Sequence, residues 1–328
     1  MRVIKNEVNY KLEKTTVSPH DFSITKNYYV FIENRVQGDT LPYLLGTKCP
    51  AQCVDIVPNE PMIINLVPRN NVNDKKSIPY TSSLDPGFTI HSVCAFENLT
   101  KNASPSPSPS SSSSSIDKDS GTIELITTGW KTETVASGTV KGGLLGSWEG
   151  KAPLFDNIPV TLLYHTILDL ETLQLISHSP AIGMENTIVE HPHINPLFES
   201  SVVRYLFMSI GSVKGKSSPP LGYLKLDIKT GEKSVWYAPE HTYCEELIVV
   251  PKYQAKVIDK NIMHEEEDED DVWLIGCLFD AVEERSYFAI FDGKFLTAGP
   301  IARLWLSHHL PHSLHGSFVS KIFDHNLI

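Results

Sequence analysis

Nowhere in this chain do ten or more consecutive residues keep a strong apolar period of 3.6, and that absence removes most helical architectures. In its place stand short runs of branched and aromatic residues, each closed by a turn signal. Asp21 to Glu33 reads as a strand, a tight turn at Lys26-Asn27 and a second strand from Tyr28 to Ile32. Pro61 to Arg69, Phe88 to Glu97, Thr122 to Thr128, Val160 to Leu168 and Arg204 to Ile210 continue the series. Tyr223 to Ile228 sets Leu224, Leu226 and Ile228 on one face, turns at Lys229-Thr230-Gly231 and returns through Val235 to Tyr237, a hairpin pattern. Leu247 to Val250, Val272 to Phe279 and Ser286 to Phe291 follow. Such a chain is expected to be an all-β sandwich, barrel or propeller, and a propeller axis gathers side chains from strands far apart in sequence.

The 328 residues are 41% hydrophobic, enough for a large core, and are expected to form one domain over residues 1–328. Within it, residues 102–120 are a Ser/Pro tract that cannot bury apolar surface and is expected to be a disordered insertion. Strand signals resume after it, so it interrupts a fold rather than dividing two. Gly138 to Gly150 is glycine-rich but lacks the Lys-Ser/Thr of a phosphate loop, so it is expected to be a plain loop. A net charge of -11, much of it in the run Glu265 to Asp271, with no basic cluster, argues against nucleic acid as a partner.

Five cysteines (Cys49, Cys53, Cys94, Cys244 and Cys277) are too few and odd in number for a disulfide framework. Cys49-x-x-x-Cys53 has the look of half a zinc site, but no second pair follows. Met1 to Tyr10 is polar and no apolar run approaches membrane-spanning length, so the expected compartment is reducing, cytoplasm or plastid, and not secreted. The sequons at Asn98 and Asn102 carry little meaning without a secretory route.

Of thirteen histidines, any one is more often structural or surface than a ligand. His20, His91 and His315 differ in context, each at the edge of a strand-like run, and Gly316 beside His315 is expected to let the backbone turn in tightly. Two glutamates are poorly placed for a solvated face. Glu190 follows Ile188-Val189, and Glu246 opens Leu247-Ile248-Val249-Val250. A buried carboxylate needs a partner, and the second N–H of a metal-bound imidazole is a common one.

Together these stretches resemble the carotenoid cleavage oxygenases, a family that includes the retinal pigment epithelial membrane protein. The resemblance rests on Pro19-His20-Asp21-Phe22-x-Ile24-Thr25-x-Asn27-Tyr28, on His91-x-x-x-Ala95-Phe96-Glu97 and on Glu190-x-Pro192-x-Ile194-Asn195. Further pieces are Glu246-Leu-Ile-Val-Val-Pro251, the acidic Glu269-Asp270-Asp271 with its apolar strand, and Gly299-Pro300-Ile301-Ala302-Arg303 leading to Leu314-His315-Gly316. The resemblance implies a seven-bladed β-propeller carrying a non-haem Fe(II) held by four histidines, three of them oriented by glutamates. It implies His20, His91 and His315 as metal ligands, with Glu190 behind His91 and Glu246 behind His315. His312 is a rival for the last ligand, but the glycine neighbour favours His315.

The activity implied is cleavage of a carotenoid or apocarotenoid double bond with O2 to give carbonyl products. Phe22, Phe96 and Phe318 would line the substrate tunnel, and the enzyme would contact a membrane surface peripherally to reach its substrate. Only nineteen residues precede His20 and none is histidine, whereas the family's first ligand lies upstream of that position. The propeller is therefore expected to be incomplete, lacking N-terminal blades. The alternative is an inactive propeller fragment acting as a binding or scaffold module. A zinc hydrolase is disfavoured because no carboxylate stands beside the three histidines as a general base.

Overall fold

The computed structural model describes residues 10–11, 19–49, 53–57, 59–69, 80–100, 120–130, 160–211, 220–252, 269–312 and 315–319. The Ser/Pro tract up to residue 119, the glycine-rich stretch 138–150 and residues 265–268 of the acidic run lie outside them.

The regular secondary structure of the described residues is nearly all strand. It begins β1 (Ser23–Ile24), β2 (Tyr28–Glu33), β3 (Val36–Gly38), a short helix α1 (Thr40–Leu44), β4 (Val54–Ile56), β5 (Met62–Pro68) and β6 (Tyr80–Leu84). Then come β7 (Phe88–Thr100), β8 (Ser120–Trp130), β9 (Thr161–Asp169) and β10 (Leu175–Pro180). The rest is β11 (Val189–His193), β12 (Tyr205–Ile210), β13 (Gly222–Asp227), β14 (Glu232–Tyr237), β15 (Thr242–Pro251), β16 (Val272–Asp280), β17 (Arg285–Asp292) and β18 (Ala302–Trp305).

These strands form four antiparallel four-stranded sheets, ordered β1-β2-β5-β6, β10-β9-β8-β7, β11-β12-β13-β14 and β15-β16-β17-β18, and a small β3-β4 ribbon. Three of the four are plain up-and-down meanders, the unit from which propeller blades are made. In each sheet the strand that comes first in the chain (β1, β7, β11 or β15) lies at one edge.

Two compact units carry them. In the first (Met1–Ala181 with Glu199–Val202) the core is aliphatic, with Val30, Ile64, Leu66, Ile123, Leu125 and Leu168 all within 2% of full burial. In the second (Ile182–Phe198 with Val203–Ile328) it is aromatic-rich, built on Phe207, Tyr223, Tyr287 and Phe291. On β16 the alternation of the sequence is kept, with Val272, Leu274, Gly276 and Leu278 buried and the residues between them half-buried.

The turn after β13 is fixed by Asp227, whose carbonyl accepts from Gly231 N at 2.8 Å and whose side chain accepts from Lys229 N at 3.0 Å, with Gly231 at φ +75°. The five-residue α1, capped by Asp39 through Leu41 N at 3.2 Å, buries none of its residues. It is too short for the sequence period to reveal.

Several ion pairs stitch the second unit. Arg204 forks onto Asp227 through Nε at 3.0 Å and Nη2 at 2.8 Å, Lys252 bridges Asp271 and Asp292 at 2.8 and 2.9 Å, and Lys225 reaches Asp270 at 2.8 Å. Burial works to raise the pKa values of Asp227 and Asp292, but the Arg204 and Lys252 donors and nearby backbone N–H groups overcome it and hold both below the ordinary 3.8. In the first unit Glu124 is lowered in the same way, against its burial, by His165, Asn98 and Thr122. A depressed folded-state pKa stabilises above the unfolded value and loses that contribution as pH falls through the folded one. Urea midpoints are therefore expected to be flat above about pH 5 and to drop between about pH 4 and 2; an unchanged midpoint at pH 3 contradicts this.

Candidate functional site

The edge strands that open the sheets carry His91, Glu190 and Glu246, and all three of these strands are irregular at those residues. On β7 the register against β8 slips between Thr89 and His91 and again between Ser92 and Cys94, so His91 sits between two bulges. On β11 it slips between Glu190 and His193, across His191 and Pro192, and His191 has a φ of 50°. On β15 it slips between Cys244 and Leu247, where Glu245 and Glu246 stand opposite the single Cys277. A bulge bends an edge strand and re-aims its side chains, which is why bulges recur beside functional sites.

In the first unit, His20 lies just before β1 and meets His91, with ring centroids 5.2 Å apart and planes at 67°. His20 Nδ1 lies 3.1 Å from the carbonyl oxygen of Ile90, the extra residue of the first β7 bulge. An imidazole that donates through Nδ1 keeps its lone pair on Nε2, the form in which it binds a metal. Asp21, Thr25 and Asn27 clamp the His20 stretch in place. Asp21 accepts from Ser92 N at 3.1 Å, while Glu97 accepts from Thr25 Oγ1 at 2.6 Å, Asn27 N at 2.8 Å and Asn27 Nδ2 at 2.7 Å. The Thr-x-Asn of one stretch and the Glu of the other thus form a joint between β1 and β7.

The second unit brings Glu246 and His315 together, with a partner the sequence reading passed over. Glu246 Oε1 accepts from His315 Nδ1 at 3.1 Å and from His193 Nε2 at 2.9 Å, and its Oε2 accepts from Gly316 N at 2.7 Å. The carboxylate is 8% exposed. Burial alone would raise its pKa, but the His193, His315 and Gly316 donors hold it down to about 2, so it is an anion. His191 packs its ring edge-on to His315, with centroids 5.7 Å apart. Burial pushes the His191 pKa down to about 4 against the pull of Glu246, so it is neutral at pH 7.

Gly316 has no left-handed φ; a Cβ there would lie 3.2 Å from Ile248 Cδ1. Close approach, rather than a tight turn, is what a glycine serves at this position. His312 is exposed and lies 3.5 Å from Glu245 Oε1, a looser contact than the one His315 makes.

The other candidates are spread over both units. Glu190 lies on β11, where its carbonyl accepts from Ser209 Oγ at 2.9 Å, and His91 lies on β7 of the other unit. Phe22 is 46% exposed and stacks on Phe31 at 5.3 Å, Phe318 is 54% exposed, and Phe96 is 2% exposed. Asn195 and Glu269 form a second clamp. Asn195 Nδ2 donates to the Glu269 carbonyl at 3.0 Å, and the buried Glu269 carboxylate caps the start of β12 by accepting from Arg204 N and Tyr205 N at 2.9 and 2.8 Å. Cys49 is exposed and Cys53 buried, and neither is in a disulfide.

Among the described residues, no group of three or more His, Cys, Asp or Glu side chains is arranged to hold a metal ion. The donor chemistry nevertheless suits one. His20 and His315 both direct Nδ1 at an oxygen acceptor, the orientation in which a histidine ligates a metal through Nε2.

A family model described as retinal pigment epithelial membrane protein matches residues 2–320. Apocarotenoid-15,15'-oxygenase of Synechocystis sp. is 27% identical over 299 residues, which make up 91% of this chain and 51% of that protein. Carotenoid 9,10(9',10')-cleavage dioxygenase 1 of Arabidopsis thaliana is 26% identical over 146 residues, 40% of this chain and 24% of its own length. Among solved structures, cobalt-substituted Synechocystis apocarotenoid oxygenase superimposes with a TM-score of 0.68 at 25% identity, over 92% of this chain and 53% of that one. The chain spans about half the length of that Synechocystis relative. The fold is the all-β propeller type expected from the sequence.

Proposed function

Because the chain belongs to the retinal pigment epithelial membrane protein family, we propose that it takes part in O2-dependent cleavage of a carotenoid or apocarotenoid double bond, using Fe(II) held by His20, His91 and His315. The observation that carries this reading is the state of two of those rings. The carbonyl of Ile90 and the carboxylate of Glu246 are each placed to take an Nδ1 proton, the arrangement in which an imidazole binds a borderline metal such as Fe(II) through Nε2. When bound, the metal supplies the means of activating O2; one C=C bond and one O2 give two C=O groups, with no further reductant.

The chain's own residues bind, orient and exclude water. Glu246 fixes the His315 ring, Ile90 fixes His20, and Glu97 anchors the stretch that carries His20. The exposed rings of Phe22 and Phe318 offer apolar surface to a polyene. Contact with a membrane surface is supported by α1 and the residue after it, where Leu41, Tyr43, Leu44 and Leu45 are 51–73% exposed.

Purified chain incubated with Fe(II) without oxygen and then desalted is expected to retain iron. His91→Ala is expected to lower retention at least about tenfold. Aerobic turnover of an apocarotenoid by the loaded parent should release carbonyl products. If the parent emerges iron-free, or His91→Ala retains as much iron as the parent, the enzyme reading fails and the binding-module alternative takes its place.

A further inference from the structure

Glu246 lies on the β15 bulge and receives three N–H groups, although a single imidazole would suffice to orient one ligand. The donors differ in how firmly they are held. His315 and Gly316 belong to a segment without regular secondary structure, residues 315–319. His193 belongs to β11, where it faces Phe207 in the ladder with β12 just past the irregularity at His191-Pro192. Its Nε2 is 2.9 Å from Glu246 Oε1, the oxygen that His315 Nδ1 approaches at 3.1 Å.

We propose that His193 is a positioning residue that locks the Glu246 carboxylate from the rigid side and thereby fixes the ring orientation and tautomer of His315. A carboxylate bulge-mounted on one strand has rotational freedom about its own side chain. A second donor from a neighbouring sheet removes that freedom. With Oε1 fixed between two rings and Oε2 on the Gly316 amide, Glu246 is an acceptor toward all three, so the proton of His315 must lie on Nδ1. The His191 ring packs edge-on to His315 as a further neighbour, with centroids 5.7 Å apart. The sequence carries this device as the second histidine of His191-Pro192-His193, on a different sheet from the carboxylate it serves. The metal-binding consequence rests on the function proposed above; the tautomer consequence does not.

The test is made on the 328-residue chain and its His193→Phe and His193→Gln variants. Gln places an N–H near the position of imidazole Nε2, and Phe keeps the volume without a donor. In metal-free protein, long-range proton–nitrogen correlation of the rings, assigned against His315→Gln, is expected to show His315 as the Nδ1–H tautomer in the parent and in His193→Gln. In His193→Phe it is expected to relax toward the Nε2–H form that a free histidine side chain favours, while circular dichroism stays that of the parent.

Co(II) titration is expected to give about tenfold weaker binding for His193→Phe and binding within about twofold of the parent for His193→Gln. A His315 tautomer unchanged in His193→Phe overturns the proposal. So does Co(II) affinity that falls equally in Phe and Gln. If the parent binds no Co(II), the metal reading fails by itself and the tautomer measurement still decides this one. Should His193→Phe not fold, His193→Asn, whose amide stops short of Glu246, takes its place with the same expected tautomer shift.

Discussion

Gly276→Ala is expected to destabilise the second unit by about 3 kcal/mol, the upper end of ordinary overpacking. A Cβ at this position would overlap the Tyr223 hydroxyl and lie 2.6 Å from Cζ and 2.7 Å from Cε2 of the same ring. Tyr223 cannot retreat. It is fully buried, stacked on Trp236 at 6.0 Å and edge-on to Phe291 at 5.6 Å. Burial raises its pKa well above 10, so the hydroxyl stays protonated and donates to the Glu245 carbonyl at 3.2 Å. That carbonyl belongs to the β15 bulge, so moving the ring also takes from the bulge a donor supplied by β13. The urea midpoint of the alanine variant gives the loss; a change under about 0.5 kcal/mol would show that the ring has room to move.

Glu246→Leu carries the second large effect, about 2–3 kcal/mol with release of the segment at residues 315–319. Three N–H donors lose their acceptor at once, which on buried groups would cost more. The His193 and His315 side chains are 33% and 50% exposed, so water takes over part of their hydrogen bonding. Gly316 N, which donates to Oε2 at 2.7 Å, is the group to watch. Its amide hydrogen exchange should accelerate in the leucine variant well before the rest of the unit opens. If Gly316 stays as protected as in the parent, Glu246 does not hold the segment.

Most of the strands that the sequence announced are those whose side chains bury themselves. Runs such as Met62–Pro68, Thr161–Asp169 and Val272–Asp280 are rich enough in branched and aromatic residues to be read directly. Among those it did not announce, Leu175–Pro180, Val189–His193 and Ala302–Trp305 lie at sheet edges and each includes polar residues. They are strands because a neighbour pairs with them, and pairing is not written in local composition.

The same divide runs through the site. Glu246 stood out because an acid opening an apolar strand demands a partner. His193 did not, since it reaches Glu246 from 53 residues away and sits among other polar residues. The stretch Glu190-His191-Pro192-His193 held a signal that was available, two histidines on alternate positions beside a proline at an edge. Only the β11 irregularity gives it meaning.

Those irregular edges also make chain length matter as much as residue identity. Removing one residue at Ile90 would let β7 pair more regularly with β8 beyond Thr89. It would also turn the side chains on one side of the deletion to the opposite face of the sheet, because side-chain direction in a strand has a period of two. At these places a deletion that tidies the ladder dismantles the site, whereas many substitutions nearby leave both in place. Sequence drift along these strands is thus constrained in its count before it is constrained in its letters.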